Sequence, residues 1–172
     1  EQFRIASVLN PEMVEAHVSL AFALIDRGEL PTAIRALREV VKLRPEDESI
    51  LLSRAELLVR MDRIDEAVAQ YRIAVDLFPD SANSLNALGY TLADRTQRLE
   101  EARVLIERAL ALAPDYALAH RNLGILYDLY LQQPAAALNH YRTYLELSPQ
   151  PDKEVRDWVV DLERRVTSAQ AK

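Results

Sequence analysis

Residues 82–116 read ANSLNALGYTLADRTQRLEEARVLIERALALAPDY. Leu88, Gly89 and Leu92 come first, a polar break follows, and then come Ala102, Ile106, Ala109 and Pro114. Steps of three and four put each apolar set on one face of a helix. Two such faces either side of a polar break read as two helices joined by a short turn. Pro114 ends the second, because proline has no N–H to continue the ladder and its ring meets the carbonyl four residues back. Gly89 and Ala102 are small where the two helices must approach closely.

The same phrase recurs along the chain. Pro11, Pro45, Pro79, Pro114 and Pro149 are spaced by 34, 34, 35 and 35 residues, a period that calls for a repeat reading first. Leu20, Ala21 and Leu24 lead to Ala33, Leu37 and Val40; Ala55 and Leu58 lead to Ala67, Tyr71 and Ala74; Leu123, Gly124 and Tyr127 lead to Ala137, Tyr141 and Tyr144. Pro31 and Pro134 sit where a second helix begins, where a missing N–H costs nothing. Each unit predicts helix A, turn, helix B, turn.

These residues resemble the tetratricopeptide repeat, most closely at LNALGYTL (85–92) and RNLGILY (121–127). The resemblance covers essentially the whole chain. It implies an all-α fold: a right-handed α-α solenoid with repeats at 14–47, 48–81, 82–116 and 117–151. Residues 1–13 are expected to be the second half of a truncated repeat, since Phe3 and Ala6 have the phase of Tyr71 and Ala74, and the chain then reads as a fragment of a longer protein. Residues 152–172, with Val155, Trp158, Val159, Leu162 and Val166 on one stripe, are expected to form a capping helix of the kind solenoids need for solubility. Three departures stand out. Repeats three and four each carry one extra residue, assigned to the A–B turn at TQRLEEA and LQQPAAA. Arg54 takes position seven of repeat two, where an apolar residue is usual. His17 and His120 stand where the family has Trp or Leu.

Composition excludes several functions. The 172 residues are 49% hydrophobic and 28% charged, enough to fold around a core. Three scattered glycines cannot build a phosphate-cradling loop. No cysteine means no disulfide or thiol nucleophile. A formal charge of −6 argues against nucleic-acid binding, and no apolar run is long enough to span a bilayer. Histidines and carboxylates show no ligand or catalytic spacing: His17 and His120 read as packing residues and His140 as solvated, while Glu100-Glu101 and Asp65-Glu66 suit helix starts. The expectation is no enzyme, no cofactor and no metal.

What remains is surface. In the family, helix A positions two, five, nine and twelve line a concave groove, and here that implies partner-binding residues Val18, Phe22, Leu52, Glu56, Asn83, Asn86, Tyr90, Arg121 and Ile125. Phe22, Leu52 and Tyr90 are expected to anchor, Asn83 and Asn86 to read a peptide backbone, and Arg121 to supply charge. A clamp for two carboxylates is not expected, because the slots for its Lys and Asn hold Val18 and Phe22. The expected function is an interaction scaffold holding a peptide or helix, in assembly of a bacterial multiprotein complex. The alternative is a self-association element with Trp158 in the seam, making a homo-oligomer. Eighteen arginines against three lysines suggest a GC-rich bacterial source, with the cell envelope favoured over the cytoplasm.

Overall fold

Alternating helical faces and breaking prolines give, among the described residues, helices and no strand. The computed structural model describes residues 11–43 and 46–170; Phe3 and Ala6, and with them most of the expected half repeat, lie outside these. Contacts divide the chain into two compact units, residues 1–79 and 80–172.

In the first unit α1 (Pro11–Asp26), α2 (Leu30–Leu43), α3 (Glu48–Arg60) and α4 (Ile64–Leu77) each pack on the next. Asp47 caps α3 by accepting from the Ile50 amide at 3.3 Å. The core gathers Ala21, Ala33, Ile34, Leu37, Val40, Ile50, Leu57, Leu58 and Ala67. Leu20 is an exception to its phase: it is half exposed, whereas Leu88 and Leu123 at the same repeat position are buried.

The second unit runs α5 (Ala82–Thr96), α6 (Leu99–Leu112), α7 (Ala117–Ile125, continuing as a π turn Leu126–Tyr130), α8 (Pro134–Leu147) and α9 (Lys153–Gln170). Ser81 caps α5 through the Ser84 amide at 3.1 Å, and Pro134 opens α8. A Cβ added to Gly89 would lie 2.7 Å from Ile106 Cγ1 and 3.0 Å from the Ala102 carbonyl oxygen. The A–B approach is therefore set by Gly89 here, as it is by the fully buried Ala21 and Ala55 in the first unit.

The extra residues of repeats three and four enter earlier than their sequence suggests. In the shorter repeats the chain leaves helix A through a left-handed residue, Gly28 or Asp62. The next amide then bonds five residues back, Glu29 to Leu24 and Arg63 to Leu58. In the longer ones the left-handed residue is Gln97 or Gln132, and the following amide reaches six back, Arg98 to Leu92 and Gln133 to Tyr127. The last turn of helix A is widened, and in repeat four it becomes the π turn.

α9 closes the second unit. Val155, Val159 and Leu162 enter a core with Ile125, Ala137, Leu138, Tyr141 and Tyr144. Trp158 tilts against Tyr141 with ring centroids 5.4 Å apart. Arg142–Glu163 at 2.7 Å and Arg165–Asp128 at 3.0 Å tie its flanks to α8 and the π turn.

Candidate functional site

The A helices carry the expected contact residues, and each unit presents its own set. In the first, α1 and α3 enclose a depression of about 190 Å³ lined by Phe22, Ile25, Ser53, Glu56, Leu57 and Arg60. Leu57 is a core residue and forms the floor. Phe22 stands 44% exposed at the wall. Glu56 and Arg60, one turn apart on α3, have no ion-pair or hydrogen-bond partner among the described residues. The depression thus unites Phe22 and Glu56, which sequence phase had placed in one groove, and adds Ser53 and Arg60, which it had not. Arg60 was findable one turn on from Glu56, since residues four apart share a helix face. Val18 packs on the core, and Leu52 is half-buried outside the depression.

The second unit commits most of its expected residues internally. Asn83 Oδ1 accepts from the Tyr116 hydroxyl at 2.9 Å. Asn86 is 5% exposed, and its Oδ1 accepts from Asn122 Nδ2 at 3.1 Å. This amide therefore serves the α5–α7 seam instead of standing open to a ligand. Ile125 is likewise interior, at 8%, because α8 and α9 cover it. Arg121 Nε lies 3.1 Å from Asp152. Tyr90 is half-buried at the edge of the core, its phenol pushed up by burial and then by Asp94.

His140 is not solvated. Its Nδ1 meets His120 Nδ1 at 3.0 Å, while His120 Nε2 lies 3.0 Å from the Pro114 carbonyl. A carbonyl only accepts, so Nε2 of His120 carries a proton. With His120 neutral its Nδ1 is bare, and His140 donates to it. Centroids 5.3 Å apart fit two rings meeting nitrogen to nitrogen on a straight line, the geometry of one shared proton. His140 also stacks on Tyr127, at 5.7 Å and 9°. Burial, then the neighbouring His120, holds its pKa below the ordinary histidine value. Helix periodicity hid this pair, because its members lie twenty residues apart on facing helices. Among the described residues no group of three or more His, Cys, Asp or Glu is arranged for a metal ion, and no helix is long and apolar enough to cross a membrane.

Residues 52–117 match the Tetratricopeptide repeat family model. Over this stretch the chain is similar to tetratricopeptide repeats. Over 102 residues it is 38% identical to the TPR repeat-containing protein PA4667 of Pseudomonas aeruginosa, a match covering 59% of this chain and 17% of that protein. The tetratricopeptide fold is shared with solved structures. One from a study of Pseudomonas aeruginosa pilF has a TM-score of 0.79 at 24% identity, covering 92% of this chain and 71% of that one. Another is the first TPR of Spaghetti (RPAP3) bound to an HSP90 peptide, with a TM-score of 0.63 at 20% identity over 70% and 93%. The chain spans between 9% and 17% of the length of the curated relatives it matches.

Proposed function

We propose that the chain is a protein-interaction module without catalysis of its own, and that it holds a partner segment on the α1–α3 face. One observation carries this reading: Phe22 stands exposed over an apolar floor, flanked by an acid and a base that have no partner among the described residues. Aromatic residues beside a pocket are typical binding anchors. The depression suits an apolar side chain on the partner, with a basic neighbour toward Glu56 and an acidic one toward Arg60. Peptide capture by the Spaghetti domain supports this use of the fold. A bacterial source is supported by the arginine-heavy composition and the Pseudomonas relative. Self-association through Trp158 is less favoured, since that ring packs on Tyr141 of its own chain.

Charge inversion tests the proposal. Peptides selected by display on the wild type are expected to carry a base and an acid flanking an apolar residue. Those selected on Glu56→Lys with Arg60→Glu are expected to show the two charges exchanged. Identical preferences on both proteins would refute the assignment.

A further inference from the structure

The first unit holds a cationic cluster that the proposed function does not use. Arg54 occupies a repeat position that is apolar elsewhere in the chain, as Leu20, Leu88 and Leu123. It lies half-buried on α3. Its Nη1 donates to Oε1 of Gln70 on α4, a residue only 4% exposed. Its Nε is closed to water and meets no acceptor, and nothing among the described residues accepts from Nη2. With Nη1 given to Gln70 and Nε enclosed, Nη2 is the group of this guanidinium left to donate to an oxyanion.

The surrounding charge points the same way. Arg38 of α2, Arg63 and Glu66 all act on Arg54. Both carboxylate oxygens of Glu66 are already held by Arg63, at 2.7 Å each. Arg38 has no partner among the described residues. Three guanidiniums thus act within electrostatic range of one another, and the one carboxylate among them is already engaged by Arg63. Burial, then Arg38, lowers the Arg54 pKa from the ordinary arginine value, and Glu66 opposes them.

Repeat phase shows what is missing. The positions equivalent to Arg38 and Gln70 hold Glu107 and His140 in the second unit. There an acid stands in place of Arg38, held by Arg103 at 2.8 Å and by the Tyr127 hydroxyl at 3.2 Å. The second unit carries its own counter-charge at this position, and the first carries another cation.

We propose that Arg54 and Arg38 form a binding site for a phosphate group, free or esterified, with Gln70 holding the Arg54 guanidinium in place. The surplus of two positive charges matches a phosphate dianion better than a single carboxylate. Because Nε is closed to water, the anion approaches from the Nη2 side. The site uses none of the residues lining the Phe22 depression, so it stands or falls independently of the proposed function.

Calorimetric titration tests it, with inorganic phosphate and O-phosphoserine in separate arms and sodium chloride matching ionic strength. Saturable binding is expected in wild type, weakened about tenfold or more in Arg54→Leu and in Arg38→Gln, as loss of a charge-assisted contact implies. Arg54→Leu restores the apolar residue that other repeats carry, and thermal unfolding of both variants verifies that they fold. Tighter binding of phosphoserine than of phosphate assigns an esterified ligand; the reverse assigns the free ion. No saturable heat beyond the chloride control, or equal affinity in Arg54→Leu, overturns the proposal.

Discussion

Gly124 lies so close to Tyr141 that a Cβ placed on it would sit 2.5 Å from two carbons of the ring. Tyr141 cannot yield, because it is fully buried and Trp158 tilts against its ring. The glycine is therefore a packing requirement of the α7–α8 pair.

Gly124→Ala is expected to cost about 1–3 kcal/mol, the usual penalty for overpacking a filled core. Combining it with Tyr141→Leu should recover part of the loss relative to the two single changes, because Leu vacates the clashing ring. Urea unfolding of the four proteins measures this; strictly additive losses would mean that the contact is not the cause.

Gln97 and Gln132 adopt φ of 60° and 53°, where a Cβ crowds the following carbonyl. Gln97→Gly and Gln132→Gly are each expected to stabilise the protein by about 0.5–1 kcal/mol, the relief of that crowding less the entropy glycine adds to the unfolded chain. Gly28, at φ 75° with open space around it, should show the opposite sign on change to Ala. Midpoints of chemical unfolding read both effects.

His140 makes stability depend on pH. In the unfolded chain it titrates near about 6.5, and in the fold its value is lowered. Above 6.5 both states are neutral and the contribution is intact. Below it the unfolded chain takes the proton first, so stability falls until the lowered native value is passed. His140→Leu, which copies Leu105 at the equivalent place in repeat three, should flatten the fall between neutral and mildly acidic pH. An unchanged slope would remove His140 as its source.

Trp158 is the single tryptophan, and its ring against Tyr141 joins α9 to α8. Trp158→Ala is expected to cost about 2 kcal/mol, less than the range for a fully buried ring because this one is only partly buried. In wild type the tryptophan emission should shift to the red as α9 comes away. A shift that precedes global unfolding would identify α9 as the first element to leave.

Helix pairing was legible because one side chain per turn carries it: phased prolines, and Gly89, Ala102, Gly124 and Ala137 at the close approaches. Phe22 and Glu56 were placed in one groove by the positions that the family resemblance implies, and both line the α1–α3 depression. Asn86 was placed there too, but the surface that would face a ligand is covered by Asn122 of the next A helix. The His120–His140 bond and the Arg54–Gln70 bond escaped for a different reason. Each joins residues on facing helices, and spacing along one helix carries no record of what the other presents. The widened last turns at Gln97 and Gln132 escaped too: the extra residue could be counted, but only backbone hydrogen bonding decides where it is absorbed.

The exposed Phe22 face of α1 and α3 is proposed to capture a partner segment. Its most direct test compares binding isotherms of a display-selected peptide on wild type and on Phe22→Asp, with circular dichroism confirming equal helix content. A loss of at least about tenfold is expected on Phe22→Asp, as removal of a binding anchor implies. Equal affinity for both proteins, or no peptide enriched on the wild type at all, would contradict it.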